Sequence, residues 1–246
     1  MARFFLSGGS SIAGGMAFIA GEDAEHAKVL RLRIGDRLIL CDGAGKDHHC
    51  SITKIEKGAL EAEVLEVLPC PAEPTVKVSV IAGLPKGERS DYIVQKCTEA
   101  GAYEICFFPS KRCVMKLADN AVEKKVARWQ RIAEEAAKQS GRGIIPQVRV
   151  LSDLAEAFNT AAATELPLFL YETGERIPMR EAIEKAGAIQ SAAIITGPEG
   201  GFEPFEAELA RHMKLHICSM GPRIFRCETA PVAALSAIMY ATGNMD

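Results

Sequence analysis

From residue 76 onward, short apolar segments with the pattern of buried strands alternate with longer segments that have the periodicity of amphipathic helices. The strand patterns are VKVSVIAGL (76–84), EICFFPS (104–110), LPLFLYE (166–172), SAAIITG (191–197) and LHICSMG (215–221). The helix patterns cover 88–102, 121–141, 178–187, 203–213 and 228–243. Because strands that alternate with helices form a parallel sheet covered on both faces, this part of the chain is predicted to be an α/β domain.

The first 70 residues have a different rhythm of short alternating segments that end in turn residues. RLILCDG (37–43), HHCSITKIEKG (48–58) and ALEAEVLEVL (59–68) predict a small β-barrel or β-rich module, and GEDAEHAKVLRLRIGD predicts one short helix between strands. PCPAEP (69–74) holds three prolines in six residues and is predicted to be a linker. We therefore expect domains at 1–72 and 73–246.

Composition favours a soluble, cytoplasmic globular protein. The chain has 246 residues, of which 48% are hydrophobic and 25% charged. The apolar N-terminus is interrupted at Ser7–Ser11 and Gly14–Gly15, so it does not resemble a signal peptide, and no stretch is long enough to span a membrane. The eight cysteines have neither C-x-x-C nor zinc-finger spacing, which favours free thiols in a reducing compartment over a metal site or disulfides.

The net charge of −3 does not by itself favour nucleic-acid binding. Basic residues nevertheless outnumber acidic ones between Lys28 and Arg37 and again between Lys111 and Arg149. A fold that gathered these basic residues onto one face would attract nucleic acid, and the alternative interpretation is a solvated surface. Charge alone favours the two about equally.

Ligands of parallel α/β sheets bind beyond the carboxyl ends of the strands, which directs attention to the loops at 171–174, 196–202 and 219–227. In TGPEGGF (196–202), three glycines allow close approach of the backbone to a ligand. The loop lacks the Gly-Lys-Ser/Thr of a phosphate-binding loop, and Glu199 would repel a polyphosphate. A ligand that carries hydroxyls, an amine or a cation fits better, and a tight turn without ligand is the alternative.

MGPRIFRCETAP (220–231) combines Arg223 and Arg226 with Glu228 immediately before a helix. Arginine offers a fork of donors for phosphate or carboxylate. A purely structural interpretation makes Thr229 the helix cap and Glu228 a favourable charge at the helix start.

TGPEGGF and MGPRIFRCETAP together resemble the RsmE-type RNA methyltransferases of the SPOUT class, which methylate N3 of a uridine in 16S ribosomal RNA. Further segments resemble the same family in the same order: RFFL (3–6), HAKVLRLRIGDRLILCDG (26–43), LPKGERSDYIVQKCTEAGAYEICFFPSKRCV (84–114) and EEAAKQSGRGIIPQV (134–148). The first two resemble its small PUA-like RNA-binding module. The resemblance covers nearly the whole chain.

The resemblance implies a C-terminal trefoil knot, a homodimer, and S-adenosylmethionine held by three loops. Carried onto this chain, the cofactor-binding residues are Leu170, Tyr171, Glu172, Thr196, Gly197, Pro198, Glu199, Gly200, Gly201, Met220, Gly221, Ile224, Phe225 and Arg226. Met220, Phe225 and Cys227 stand where the family is expected to have Leu, Leu, and Thr or a small residue, so we assign Cys227 no catalytic role.

Uracil N3 must lose a proton before it attacks, so the site needs a base near N3 and donors near the two carbonyl oxygens. Arg226 is predicted to be a donor or an RNA-phosphate contact, and Glu228 and Glu199 are the candidate bases, with Glu228 preferred. A carboxylate beside arginine has a lowered pKa and is a poor base, which leaves open proton removal by solvent or by a backbone-assisted route. The predicted RNA-binding residues are Arg3, Lys28, Arg31, Arg33, Arg37, Lys111, Arg112 and Arg142.

Two other functions remain open at the level of sequence. The same cofactor loops would serve a SPOUT methyltransferase that acts on another RNA. A non-catalytic RNA-binding ribosome-assembly factor would retain the fold, but it is expected to lose the glycine loop, which this chain keeps. The partner is expected to be small-subunit ribosomal RNA or the assembled particle. The apolar terminal helix at 228–243 suits a homodimer or burial against its own sheet.

Overall fold

The computed structural model describes residues 1–6, 9–110 and 119–245. The chain divides into two compact units, of which the first holds Met1–Glu73 and Ala137–Ile145 and the second holds Pro74–Ala136 and Pro146–Asp246. Within the described residues, no helix has the length and apolar character needed to cross a membrane.

The first unit is a six-stranded mixed sheet with one helix packed on it. Its elements are β1 (Ala2–Phe5), β2 (Ser11–Ala13), β3 (Met16–Ala20), α1 (Gly21–Val29), β4 (Arg37–Cys41), β5 (Lys46–Glu56) and β6 (Ala59–Pro69). The strand order is β1-β4-β5-β6-β3-β2, and only the β1–β4 pair is parallel. Alternate residues of the strands, such as Leu38 and Leu40, form the core with Ile19, Ile52 and Leu60.

Hydrogen bonds to Glu73 attach residues 137–145 to the first unit. The Glu73 carboxylate accepts hydrogen bonds from the Arg142 side chain (2.7 Å) and from the backbone N–H groups of Gly143 (2.6 Å) and Ile144 (2.9 Å). Within the segment predicted to be a linker, 69–74, Pro69 ends β6, Cys70 is buried and Glu73 is ion-paired, and the division between the two units falls after Glu73.

The second unit is a seven-stranded sheet in which all pairs are parallel. Its elements are β7 (Lys77–Gly83), α2 (Arg89–Glu99), β8 (Glu104–Phe108), α3 (Asp119–Ser140, whose end lies in the first unit), β9 (Gln147–Val150), α4 (Leu154–Ala162), β10 (Leu166–Leu170), β11 (Ile177–Pro178), α5 (Met179–Ala186), β12 (Ser191–Thr196), α6 (Pro204–His212), β13 (His216–Ser219) and α7 (Thr229–Ala241). The strand order is β11-β13-β10-β12-β7-β8-β9.

Both faces of this sheet are covered, which explains why its strands are apolar without alternation. In β12, Ala193 and Ile195 point into a core that contains Phe158 of α4 and Ala207 of α6. Ala192 and Ile194 point the other way and are equally buried, and α7 packs on β12 and β7. The α/β class with a parallel sheet and a β-rich N-terminal module is confirmed, whereas β9, α4 and β11 were not predicted.

Candidate functional site

Three loops that follow neighbouring parallel strands meet at one edge of the second unit's sheet. Strands β13, β10 and β12 are adjacent, so the loops after them emerge side by side. They enclose a cleft of about 280 Å³, called here the cofactor cleft. Its lining residues are Leu170, Tyr171, Glu172, Arg176, Thr196, Gly197, Pro198, Glu199, Gly201, Cys218, Ser219, Met220, Gly221, Pro222, Arg223, Ile224, Phe225, Cys227 and Ala230.

The lining contains every residue predicted to bind the cofactor except Gly200 and Arg226. Arg226 is exposed, and its backbone carbonyl accepts hydrogen bonds from the N–H groups of Thr229 and Ala230 (2.9 Å each). Its position is therefore set by the start of α7. Arg176 and Arg223 line the cleft although the sequence did not single them out for the cofactor.

The glycine loop after β12 is packed too closely to accept side chains. A Cβ atom on Gly83, at the end of β7, would lie 2.5 Å from Cδ of Pro198. A Cβ on Gly197 would lie 3.2 Å from the Gly201 backbone and from the Phe202 ring. Gly201 has φ +65°, which side chains rarely adopt, and a Cβ there would lie 2.5 Å from Glu172 Oε1. The loop therefore presents backbone to the cleft.

Thr196 supplies a polar atom that lacks a partner. It is 1% exposed, lines the cleft and, within the described residues, its Oγ1 atom has no hydrogen-bond partner. A buried hydroxyl without a partner costs free energy, so its retention indicates a ligand group that bonds to it. This observation and the glycine backbone fit a small molecule with polar groups.

Arg89, in the first turn of α2, joins two carboxylates at the edge of this cleft. Its Nη1 atom donates to Glu199 Oε1, which also accepts from the Lys86 backbone N–H (2.9 Å). Its Nε atom lies 3.5 Å from Glu228 Oε2. The loop after β7, the glycine loop and the start of α7 are therefore tied to one guanidinium.

The two carboxylates are held ionised by their surroundings. Burial raises the pKa of Glu199, but hydrogen bonds from Lys86 and its own backbone, together with Arg89, leave the pKa below its ordinary value. Burial likewise raises the pKa of Glu228, and its own backbone N–H, the Cys227 thiol, Arg89 and Arg226 outweigh that effect and lower it. Burial, with the neighbouring carboxylates, raises the pKa of Cys227 to about 12, so its thiol is protonated and donates to Glu228 Oε2 (3.2 Å).

A second, more open cleft of about 680 Å³ borders the first and is called here the second cleft. Its lining residues are Lys86, Gly87, Glu88, Arg89, Tyr92, Glu228 and Thr229. Arg89 and Glu228 connect it to the cofactor cleft through Glu199 and Cys227. Sequence reasoning missed Lys86, Arg89 and Tyr92. The signal for the first two was available, because KGER follows the apolar strand β7 in the same way that TGPEGG follows β12.

The predicted RNA-binding residues have different environments. Lys28, Arg31, Arg33 and Arg37 are exposed in the first unit, and Lys28 is paired with Glu25 (2.6 Å).

Arg3 instead binds the buried Asp47 through two 2.8 Å hydrogen bonds. Arg142 is 2% exposed and paired with Glu73. Because both guanidinium groups hold the fold together, we leave Arg3 and Arg142 out of the proposed RNA contacts. Lys111 and Arg112 lie outside the described residues. The described ranges contain no cluster of three or more metal-ligating side chains.

Two family models match the chain. An RNA methyltransferase domain matches residues 71–239, and an RNA methyltransferase PUA domain matches residues 19–65. Among similar proteins, the ribosomal RNA small subunit methyltransferase E of Bacillus subtilis is 35% identical over 91% of this chain and 90% of its own length. The protein of the same name from Mycobacterium bovis is 33% identical over 95% of this chain and 89% of its own length.

Solved structures of methyltransferases are also similar to this chain. The methyltransferase E of Neisseria gonorrhoeae, bound to S-adenosyl methionine, has a TM-score of 0.80 at 30% identity, covering 98% of this chain and 97% of its own. A putative methyltransferase from Legionella pneumophila in complex with the same cofactor has a TM-score of 0.78 at 29% identity, covering 97% of each chain. From these matches across both units, the chain belongs to the ribosomal RNA small subunit methyltransferase E family.

Proposed function

We propose that this protein transfers a methyl group from S-adenosylmethionine to N3 of a uridine in 16S ribosomal RNA. The observation that supports this most is the cofactor cleft, in which a glycine loop exposes backbone and the buried Thr196 hydroxyl lacks a partner. The cleft is formed by the same loops that the family resemblance assigns to the cofactor. The Neisseria gonorrhoeae and Legionella pneumophila relatives bind S-adenosylmethionine.

The lining of the cofactor cleft suits each part of this molecule. Leu170, Met220 and Phe225 offer apolar surface for the adenine, and the Thr196 hydroxyl and the loop backbone offer hydrogen bonds. Glu172 and Glu199 offer negative charge for its ammonium and sulfonium groups. When bound, S-adenosylmethionine supplies a methyl group on a positively charged sulfur.

Residues beside the cofactor cleft position the methyl acceptor, N3 of the uracil. Glu228 is ionised at neutral pH, so its carboxylate accepts a hydrogen bond from uracil N3–H and holds N3 in place. Its low pKa makes it a weak base, so the proton passes on to solvent. Arg226, which is exposed two residues before Glu228, donates to the RNA substrate, either at a uracil carbonyl oxygen or at a phosphate of the target nucleotide. Glu228 and Arg226 are therefore proposed as the catalytic pair.

The remaining expectations extend this proposal. Lys28, Arg31, Arg33 and Arg37 bind RNA phosphates from the first unit, together with Lys111 and Arg112. The loops of the second unit form a trefoil knot, and two copies associate through α7, on which Tyr240 is 73% exposed. An enzyme with this substrate acts in the cytoplasm, where ribosomal RNA lies.

Calorimetric titration with S-adenosylmethionine tests the enzyme class. Binding at one site per chain is expected, with loss of affinity in a variant that fills the glycine loop, such as Gly197→Val. A wild-type protein that binds RNA but not S-adenosylmethionine would instead be a non-catalytic assembly factor.

A further inference from the structure

We propose that the second cleft receives the uracil ring of the target uridine, with Tyr92 stacked on the ring and Arg89, Glu228 and Thr229 bound to its edge. This inference rests on the proposed function and names the place where that function engages its substrate. The cleft combines an exposed aromatic side chain with hydrogen-bond donors and an acceptor beside the cofactor cleft.

The second cleft lies where a methyl acceptor must lie, beside the cofactor cleft. A methyl acceptor must lie beside the methyl donor, because the transfer is direct. Glu228 lines the second cleft, and its carboxylate accepts from the Cys227 thiol, which lines the cofactor cleft. Arg89 lines the second cleft and is ion-paired with Glu199, which lines the cofactor cleft. The two clefts therefore share a wall made of these side chains.

The polar groups of the cleft match the edge of uracil. From C2 to C4, uracil presents an acceptor, a donor and an acceptor: O2, N3–H and O4. The Glu228 carboxylate is an acceptor for N3–H, and the Arg89 guanidinium and the Thr229 hydroxyl are donors for the two carbonyl oxygens. Cytosine has a lone pair at N3 and an amino group at C4. Its N3 would face the Glu228 carboxylate as a second acceptor, and its amino group would face a donor of the protein. The cleft therefore selects uridine over cytidine.

Tyr92 supplies the aromatic surface on which the uracil ring stacks. It lies in the first turn of α2, is 46% exposed and lines the second cleft. An exposed aromatic ring beside charged groups is suited to stacking on an unpaired base, and such contacts add to the affinity of single-stranded RNA sites. The helix fixes the backbone from which the ring projects, because the Tyr92 N–H donates to the Glu88 carbonyl (3.3 Å).

Steady-state methylation of 16S ribosomal RNA that lacks the modification tests this assignment, at saturating S-adenosylmethionine and with cofactor affinity measured in parallel. Tyr92→Ala and Tyr92→Leu remove the aromatic face and are expected to raise KM for RNA about tenfold or more. Tyr92→Phe keeps the face and is expected to stay within about twofold of wild type. The matched control is Tyr103→Ala, which removes an exposed ring immediately before β8, at the amino ends of the strands and outside the lining of both clefts.

All four variants are expected to bind S-adenosylmethionine as the wild type does, which also shows that they are folded. If Tyr92→Leu methylates RNA with wild-type KM and kcat, the second cleft is not the uridine site. If Tyr103→Ala raises KM as much as Tyr92→Leu, the effect is not local and the inference also fails. A wild-type protein that binds the cofactor but methylates no uridine overturns the proposed function itself, which is a different result from either of these.

Discussion

The Nε atom of Arg89 lies 3.5 Å from Oε2 of Glu228, while Nη1 of the same guanidinium donates to Glu199. One side chain from α2 thus holds a carboxylate of the glycine loop and a carboxylate at the start of α7. The two carboxylates belong to different loops, and Arg89 contacts both of them. The distance between the carboxylates therefore depends on this arginine.

Removal of Arg89 should change the pH dependence of methylation. Burial acts to raise the pKa of Glu199 and Glu228, and Arg89 is one of the groups that lower it. In Arg89→Ala both pKa values rise, so the carboxylates become protonated at a higher pH. The acidic limb of the kcat/KM profile therefore moves to higher pH. Arg89→Lys keeps the charge and should move it less. An unchanged acidic limb in Arg89→Ala would show that neither carboxylate matters for turnover.

The same pKa shifts set a sign for stability. A carboxyl group whose pKa is depressed by folding stabilises the protein above its unfolded-state pKa, and this stabilisation is lost as pH falls through the folded-state value. The wild type is therefore expected to be more stable than Arg89→Ala above the ordinary carboxyl pKa. As pH falls below that value, the wild type should lose more stability than the variant does. Thermal melts at a series of decreasing pH values measure this difference.

Thr196→Val should separate cofactor binding from stability. The valine fills the same space without the hydroxyl, which has no partner within the described residues. Stability should stay the same or rise, whereas affinity for S-adenosylmethionine should fall by about 1 kcal/mol, or roughly fivefold. The control is Thr98→Val, because the buried Thr98 hydroxyl already donates to the Val94 carbonyl (2.7 Å). Equal cofactor affinity in wild type and Thr196→Val would contradict the role given to this hydroxyl.

Gly83→Ala should weaken cofactor binding without touching the cofactor. The new Cβ would lie 2.5 Å from Pro198, so the glycine loop must move. Overpacking of this kind costs about 1–3 kcal/mol, and we expect a fall of about tenfold in affinity for S-adenosylmethionine. Gly143→Ala creates an equally close contact, with Cys70 in the first unit, and serves as the control. Calorimetry should show normal cofactor affinity for Gly143→Ala despite a lower melting temperature; a parallel loss in both would mean that the effect is general destabilisation.

Charge reversal in the first unit should weaken RNA binding. Arg31→Glu with Arg33→Glu removes two exposed cations, so the slope of log affinity against log salt should become shallower by about 2. The control pair is Arg180→Glu with Lys185→Glu, on the exposed face of α5. Filter binding over a range of salt concentrations measures both. If the slope is unchanged in the first pair, or changes equally in the control, the first unit is not the RNA-binding surface.

The fold of the second unit could be predicted because its strands are buried on both faces. Residues 192–195 are all apolar for that reason, and the loops after β10, β12 and β13 could be identified as ligand loops, whereas the loop after β7 was missed. The individual cofactor residues on those loops, and S-adenosylmethionine as the cofactor, came from the family resemblance.

Contacts between distant parts of the chain could not be predicted in this way. Arg142 looks like a surface cation in the sequence, but Glu73, 69 residues away, pairs with it in the buried interior of the first unit. Arg89 likewise gains its role only because β7 lies next to β12, which brings it to Glu199 across 110 residues. Local periodicity carries no information about either pairing.

The most direct test of the central claim is nucleoside mass mapping of 16S ribosomal RNA from cells with and without this protein, and after incubation of unmodified RNA or small subunits with the protein and S-adenosylmethionine. We predict one uridine that gains a single methyl group on N3 only when the protein is present. A methyl group on another base, on ribose or on a different RNA, or no methyl group at all, would contradict the account.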